Sequence, residues 1–469
     1  MSPSNESRPD VLAHPALDVD PAVVGDYPTL DVNPADVSDY PPEDDGQFRG
    51  LIVLCVLAIV GGALTGLVGG LFRAALTAAN HLRLMVEDWA RAEPNLRWVV
   101  PVLLSAVAVG LARLAVRWVP QASGSGVQRV EATMRSEVQP AGLRILPAKF
   151  IGGVLSIGAG LALGREGPTV QMGAAIGVRL ARTFKSNGHD LRIMAAALAG
   201  AGLGVAFSAP LGGAVFVFEE VARAVRTRLV VVTLLTCGSA LAVAHMIVGR
   251  QPVFDVPPLA PQEFLMLPVF VLLGALLGAL GVVYNKLIVL LLNLFERIPR
   301  VPPEVNAGIV GGAVGLLGVV APSLIGSGDQ LNEELLIAGI GLSTLLLAVC
   351  VRFFLGPLSY SLGTPGGLFA PLLLLGALIS ALCARVANEL VPRVDLSVTA
   401  FAIVGMSTFF AAVVRAPITG VMLIVEMTAT TSQLVPMILA AGTAVLVATL
   451  LKGPPIYDTL RARLPSSPR

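Results

Sequence analysis

The chain has 469 residues, of which 55% are hydrophobic and 13% are charged, and its mean hydropathy is +0.79. This composition excludes a soluble globular domain and is typical of a membrane protein that crosses the bilayer several times. The four cysteines and four histidines are scattered singly, which excludes a disulfide framework and a zinc site of the H-E-x-x-H kind. We therefore expect neither a metal nor a cofactor.

Residues 1–46 form an acidic, proline-rich segment ahead of the first apolar run. Eleven of the 31 acidic residues but only one of the 32 basic residues lie within the first 45 positions. The stretch from Leu17 to Pro28 recurs from Leu30 to Pro41, and two copies cannot form a solenoid. The segment also lacks the basic start and apolar core of a signal peptide. We expect a disordered cytoplasmic tail on a basic membrane domain.

From Leu51 onward, apolar stretches follow one another, the first from 51 to 72 and the last from 433 to 451. Several are shorter than the ~20 residues that a simple membrane span requires. Their breaks are rich in glycine and proline, as in Ser208-Ala-Pro210 and Arg415-Ala-Pro417. Non-helical backbone at membrane depth is tolerated only against protein or a water-filled cavity, so the breaks predict interrupted helices around a central site.

Glu166 lies between two of these apolar stretches, in Gly164-Arg-Glu-Gly-Pro168. A carboxylate at membrane depth costs roughly 2.5–3.5 kcal/mol on insertion scales, which makes it a candidate functional group. Pro168 suits the first turn of a helix and predicts a helix that begins near Glu166. The unpaired N–H groups and the dipole of such a helix start favour an anion, so a carboxylate tethered there would compete with a dissolved one.

Four patterns recur in the same order along the chain, at offsets between 202 and 212 residues. They are Gly62–Gly69 with Gly274–Gly281, Pro120–Gln128 with Pro322–Gln330, Gly164–Pro168 with Gly367–Pro371, and Ala209–Gly213 with Ala416–Gly420. We infer two homologous halves, about 50–250 and 262–452. Paired helix breaks in duplicated membrane halves are typical of transporters whose substrate binds at the midplane, although periodicity alone leaves their relative orientation open.

The residues at these breaks resemble the ion-pathway motifs of the CLC family of chloride channels and chloride/proton exchangers. The matching motifs are Gly124-Ser-Gly-Val-Gln128, Gly164–Pro168, Gly367-Leu-Phe-Ala-Pro371 and the late Tyr457, in the family's order over nearly all of residues 50–460. The resemblance implies an all-α polytopic membrane protein with two inverted-topology repeats of tilted and broken helices. It further implies a transmembrane domain at 47–460 with a short polar tail at 461–469, a homodimer with one pore per subunit, and no enzymatic activity or nucleic-acid partner.

By the same resemblance, Ser125, the backbone N–H groups of Leu368 and Phe369, and the phenol of Tyr457 form the anion site, with Gly167 beside them. A hydroxyl donor at a helix terminus binds an anion without a strongly trapping cation. Taken alone, the Ser-Gly pair would be an ordinary turn and Tyr457 an interfacial tyrosine. Serine instead of proline at position 125 resembles chloride-selective members, so chloride is the expected substrate.

Glu166 matches the gating glutamate of the family, and Glu220 matches the residue that passes protons to and from the cytoplasm in exchangers. An ionised Glu166 can occupy an anion site, whereas a protonated one can swing away, which couples proton uptake to anion movement. Channel members commonly carry an apolar residue in place of Glu220. Alternatively, Glu220 is a helix-end carboxylate paired with Arg223 or Arg226, and the i+3 spacing from Glu220 to Arg223 permits such a pair.

Two neighbouring positions have less specific expectations. Glu219 faces elsewhere on its helix than Glu220, and its repeat counterpart Glu426 suggests a structural duty. Arg165 is either an anion-attracting residue near the outer mouth or the structural partner of a buried carboxylate.

The chain departs from the family pattern after Gly126, where isoleucine, proline and an acidic residue usually follow. Here Val127, Gln128 and Arg129 stand instead, which could loosen the helix start and alter anion selectivity. Only about 18 residues follow Leu451, so we expect no paired cytoplasmic regulatory domains. Together with the missing signal peptide, this suits the inner (plasma) membrane of a prokaryote.

Three further functions compete with chloride/proton exchange. Two are a passive chloride channel and an exchanger of another anion such as nitrate or fluoride. The third is an intramembrane aspartyl protease, because Gly326-Ser-Gly-Asp329 and Tyr457-Asp458 mimic motifs of that class. The order of the two motifs is reversed relative to such proteases, and Gly326 is better explained as the repeat of Gly124.

Overall fold

The computed structural model describes residues 45–92, 95–297, 301–337, 339–391 and 395–464. In these ranges the chain folds into α-helices, short 3-10 turns and loops, without a β-sheet. The helices are α1 Asp45–Ala92, α2 Val99–Trp118, α3 Val127–Met134, α4 Ile145–Gly158, α5 Glu166–Thr183, α6 Gly188–Phe207, α7 Pro210–Phe216, α8 Thr227–Val248, α9 Leu267–Glu296, α10 Pro303–Val320, α11 Asp329–Ile337, α12 Leu342–Ser361, α13 Phe369–Leu390, α14 Val398–Val414, α15 Pro417–Thr428, α16 Leu434–Leu450 and α17 Ile456–Ala462. Most of the tail predicted to be disordered, residues 1–44, lies outside the described residues.

Eight of the described helices are long and apolar enough to cross a membrane: α1, α2, α6, α8, α9, α10, α12 and α13. Two of them form the interior, since the apolar windows of α6 and α13 are 89% and 78% buried, against 28–39% for the other six. The outer six present large apolar side chains to the surroundings, as lipid contact requires. The prediction of an all-α polytopic membrane protein is confirmed.

The first helix is longer than the apolar stretch from 51 to 72 indicated, because α1 continues to Ala92. The apolar stretch ends just before Arg73, a charged residue. The Nη1 of Arg73 donates to the carbonyl of Val205 at 2.9 Å and to Ser208 Oγ at 2.7 Å. A cation whose hydrogen bonds are satisfied in this way does not interrupt a helix.

The last described helix crosses the boundary predicted at residue 460. Helix α17 extends to Ala462, so the first residues assigned to the polar tail are helical. Arg461 is held there by an ion pair with Asp458, one turn earlier, at 3.1 Å. Asp458 and Arg461 thus lie on the same helix.

The two halves of the chain repeat their packing contacts. Gly66 of α1 lies against the backbone of Ala240 in α8, and Gly278 of α9 lies in the same way against Ala444 in α16. A Cβ added to either glycine would approach the facing carbonyl oxygen to 2.1 or 2.6 Å, so both positions require glycine for this helix separation.

A side-chain hydrogen bond is repeated as well. Arg73 donates to the carbonyl of Val205, and Asn285, its counterpart 212 residues later, donates to the carbonyl of Val413 at 3.2 Å. The two halves therefore share a fold even where the side chains have diverged.

The halves meet at a two-residue bridge between Gly164 and Gly367. Each glycine donates its N–H to the carbonyl of the other at 2.8 Å, and the two segments run antiparallel. These glycines are repeat counterparts, so equivalent segments run in opposite directions, as two halves of inverted topology require. Helices α5 and α13 begin directly after this bridge.

Candidate anion and proton site

Glu166 is the first residue of α5, as the sequence predicted, and its side chain is fully buried. Its Oε1 accepts a hydrogen bond from the N–H of Phe369, the first residue of α13, at 2.6 Å. The carboxylate lies over the bridge: a Cβ on Gly164 would approach its Oε2 to 2.0 Å, and a Cβ on Gly367 would approach Oε1 to 2.1 Å. Two glycines without side chains thus make room for a carboxylate at the start of the opposite helix.

Ser125 lies in a loop whose flanking glycines, Gly124 and Gly126, both have positive φ angles, of 62° and 91°. The residue is fully buried, and its Oγ has no hydrogen-bond partner among the described residues. Gly167 lies directly against it, since an added Cβ there would be 2.8 Å from Ser125 Oγ. The hydroxyl is therefore a buried donor beside the first turn of α5.

Tyr457 lies on the other side of Phe369. The two rings are 5.7 Å apart, and Tyr457 is fully buried with a hydroxyl that lacks a partner within the described ranges. Leu368, also fully buried, is the N-cap residue of α13. All five residues predicted to bind the anion thus belong to one contiguous group around Glu166.

Lys149 belongs to this site and was missed by the sequence analysis. It is fully buried in α4, and its Nζ donates to the carbonyls of Gly124 at 2.6 Å and Ser125 at 3.1 Å. The lysine therefore clamps the Ser125 loop through two carbonyl groups. A lone lysine within an apolar stretch is the signal that could have identified it.

The clamp has a counterpart in the second half. Arg352, 203 residues after Lys149, is buried and donates to the carbonyls of Gly326 at 2.6 Å and Ile325 at 2.8 Å. Both halves thus use a buried cation to hold a glycine-rich loop that precedes a short helix.

Glu220 lies in a π-helical turn, Val217–Val221, that follows α7. It is only 2% exposed, and Arg223 Nη2 lies 3.4 Å from its Oε1. Arg223 also pairs with Asp458 at 3.2 Å, which joins Glu220 to a partly exposed ion-pair network at the end of the chain. The i+3 pairing offered as an alternative therefore exists, but the carboxylate itself is buried.

Glu131 of α3 is a second buried carboxylate, 1% exposed, that the sequence analysis did not single out. It lies within electrostatic reach of Glu220 and Arg223. Buried acidic groups are rare unless they have partners, so this pair of glutamates marks the region between the anion site and the ion-pair network.

Glu219 and Glu426 each cap the start of a helix in the other half of the chain. The carboxylate of Glu219 accepts the N–H of Thr419 in α15 at 2.7 Å, and that of Glu426 accepts the N–H of Gly212 in α7 at 2.7 Å. Each also accepts the preceding N–H of the same helix, at 3.0 and 3.1 Å. Negative side chains at helix starts stabilise unpaired N–H groups.

Arg165 Nη1 forms an ion pair with Asp329 Oδ2 at 3.0 Å. Its Nε donates to the carbonyl of Ala206 at 2.8 Å. The side chain of Asp329 is 38% exposed, so the carboxylate that Arg165 pairs with is only partly buried. Arg165 also lines a cavity.

The residues that replace the family's usual pattern still form a helix start. Helix α3 begins at Val127, with Gly126 as a left-handed N-cap residue. Gln128 is buried, and its side-chain nitrogen and the Tyr360 hydroxyl both lie beside Gly124.

The two aspartates of the protease alternative belong to separate groups of charges. Asp329 pairs with Arg165, whereas Asp458 pairs with Arg223 and Arg461. An aspartyl protease needs two carboxylates that share one site, so this arrangement does not support peptide hydrolysis.

Comparisons with known proteins agree with this architecture. A family model described as "Voltage gated chloride channel" matches residues 108–449. The H(+)/Cl(-) exchange transporter ClcA of Vibrio cholerae is 38% identical over 418 residues, which are 87% of this chain and 88% of that protein. A slow cyanobacterial Cl-/H+ antiporter has a crystal structure with a TM-score of 0.84 at 33% identity, covering 87% of this chain and 97% of that one. A CLC-type fluoride/proton antiporter has a TM-score of 0.70 at 21% identity, which bears on the fold alone.

The chain is an all-α membrane protein with two repeated halves and buried hydrogen-bond donors between them. These features are those of an ion-transport protein. The chain belongs to the voltage gated chloride channel, or CLC, family. The resemblance drawn from the four motifs is thereby confirmed, and the family is one of transporters and channels instead of enzymes.

Proposed function

We propose that this protein exchanges chloride for protons across a membrane, with Glu166 as the gate and Glu220 as the internal proton-transfer residue. The observation that carries the proposal is the hydrogen bond from the N–H of Phe369 to the Glu166 carboxylate. A helix start that binds a tethered carboxylate also suits a dissolved anion of the same charge. The name of the Vibrio cholerae relative, an H(+)/Cl(-) exchange transporter, supports the same function.

The gate works through the charge of one carboxyl group. Ionised, Glu166 accepts a charge-assisted hydrogen bond from Phe369 and excludes chloride from that N–H. Protonated, it loses its charge and its preference for the helix start, and chloride can take its place. Ser125 Oγ and Tyr457 Oη are the neighbouring donors for the arriving anion.

Protons reach the opposite end of the pathway through Glu220. Its pairing with Arg223 and, through it, with Asp458 links the buried carboxylate to a partly exposed network. A passive channel moves no protons and does not require a second buried proton acceptor. Glu220 therefore favours exchange over the second candidate function, passive conduction of chloride.

The assembly and location of the protein are part of the same proposal. We infer a homodimer with one pore per subunit in the inner (plasma) membrane of a prokaryote. The bacterial relatives support this location. Measuring the mass of the detergent-solubilised protein by light scattering tests the dimer, and a monomeric mass contradicts it.

The test of exchange is a flux measurement on the purified protein in liposomes. An outward chloride gradient, with the membrane potential fixed by valinomycin and potassium, should drive protons inward against their own gradient. Glu166→Gln should abolish proton movement and leave chloride flux. Glu220→Gln should also stop protons, and Glu219→Gln, the matched neutralisation one residue away, should not.

Three outcomes contradict parts of the proposal. Chloride flux without proton movement in the unmodified protein indicates a passive channel. Normal proton pumping by Glu220→Gln shows that the internal route is assigned wrongly. Nitrate- or fluoride-driven proton movement in the absence of a chloride response identifies another anion as the substrate.

A further inference from the structure

A cavity of about 380 Å³ opens beside Arg165, and we name it the Arg165 vestibule. Its walls come from α1, the end of α4, and the segment from Pro322 to Glu333 that leads into α11. The titratable side chains that line it are His81, Arg83, Arg165, Asp329 and Glu333. Arg165, which immediately precedes Glu166 in the chain, lines the vestibule.

The wall of the vestibule repeats the loop that holds Ser125. Gly326, Ser327 and Gly328 correspond to Gly124, Ser125 and Gly126 at an offset of 202 residues. The glycines again have positive φ angles, 74° and 97°, and the buried cation of Arg352 again holds the carbonyl of the first glycine. The second half therefore presents the same hydroxyl-bearing loop at the start of a short helix.

The two loops differ in what their serines contact. The Oγ of Ser125 has no partner among the described residues, whereas Ser327 Oγ donates to Asp329 Oδ2 at 3.2 Å. The same oxygen accepts from Arg165 Nη1 at 3.0 Å. A carboxylate of this chain thus holds both the hydroxyl of the repeated loop and the guanidinium beside the gate.

We propose that Asp329 is a tethered competitor that occupies Arg165 and Ser327 and thereby sets the affinity for anions arriving through the vestibule. An anion must displace the aspartate from the guanidinium before Arg165 can attract it. This inference rests on the proposed function, because it assumes that anions use this side of Glu166. Asp329 is a positioning residue, since it acts through Arg165 and not on the transported ion.

The size of the effect follows from the exposure of the pair. The side chains of Arg165 and Asp329 are 16% and 38% exposed, so water screens their attraction and the pair can open. Such ion pairs change an equilibrium by about a few-fold. We therefore expect Asp329 to tune affinity and not to block transport.

The experiment is equilibrium exchange of radioactive chloride across liposomes with equal chloride on both sides, at ionic strength held constant with gluconate. Asp329→Asn should lower the KM for chloride about threefold, with the maximal rate and the proton-to-chloride ratio unchanged. Asp329→Glu keeps the charge and should restore a KM near that of the unmodified protein. Glu333→Gln removes the same charge from the same vestibule without touching the Arg165 ion pair, and its KM should not change.

Each other result overturns the inference. An unchanged KM in Asp329→Asn shows that the aspartate does not compete, and equal shifts in Asp329→Asn and Glu333→Gln reduce the effect to general charge. A lower maximal rate at constant KM makes the ion pair structural. If the unmodified protein exchanges no chloride, the proposed function itself fails, which distinguishes that failure from these.

Discussion

At the scale of single residues, the site depends on positions that lack a side chain as much as on Glu166. Gly164 and Gly367 form the bridge between the halves, and the Glu166 carboxylate fills the space where their Cβ atoms would be. The sequence predicted a helix start at Glu166 from its glycines and Pro168. It could not predict the hydrogen bond to Phe369, because that contact joins residues 203 positions apart.

Gly164→Ala tests this arrangement. The three atoms nearest to the added Cβ all belong to the Glu166 side chain, the closest at 2.0 Å, so the carboxylate must leave its position while the backbone can stay. We expect chloride flux to persist and the number of protons moved per chloride to fall. Simultaneous recording of both fluxes in liposomes measures the ratio.

A matched control for this substitution is Gly238→Ala, because a Cβ there meets nothing within 4 Å. It should leave both fluxes unchanged. Full proton coupling in Gly164→Ala would mean that the carboxylate does not need the space over the bridge.

At the scale of elements, two short helices are stabilised by each other's terminal residues. Helix α7 continues into a π-helical turn whose Glu219 caps α15, and α15 carries Glu426, which caps α7. The repeat predicted a structural duty for both glutamates. Which helix each glutamate caps could not be predicted from the sequence, because nothing near Glu219 in the chain indicates a partner about 200 residues away.

Glu219→Ala and Glu426→Ala should each destabilise the protein by about 1–2 kcal/mol, because each removes two hydrogen bonds to helix-start N–H groups. Thermal unfolding in detergent, with and without lipid, measures the loss as a lower Tm. The two losses should not add in the double variant, since α7 and α15 pack against each other. Glu334→Ala, on an exposed position of α11, is the control and should leave the Tm unchanged.

At the scale of the whole molecule, some features of the duplicated halves could be predicted from the sequence and others could not. Four repeated motifs were enough to predict two halves, because glycines and prolines at helix breaks are constrained by backbone geometry. The repeat did not identify the clamp by Lys149 and Arg352, because the sequence shows a basic residue at each position but not what its side chain contacts. Their burial and their carbonyl partners are properties of the folded chain.

The two clamps should differ in function, although their geometry is alike. Lys149 holds the loop of Ser125, which belongs to the proposed chloride site, whereas Arg352 holds the loop of Ser327 in the vestibule. Lys149→Met leaves two carbonyls without their donor, at a cost of about 1–3 kcal/mol for each unsatisfied group. We expect chloride binding, measured by isothermal titration calorimetry on the detergent-solubilised protein, to weaken at least tenfold in Lys149→Met.

Arg352→Met should lower the Tm and leave the chloride affinity within about threefold of the unmodified protein, because the loop that Arg352 holds lies against Arg165 and Asp329 and not against Glu166. Equal losses of affinity in the two variants would show that both loops serve one binding site, and an unchanged affinity in Lys149→Met would restrict the buried lysine to a purely structural part.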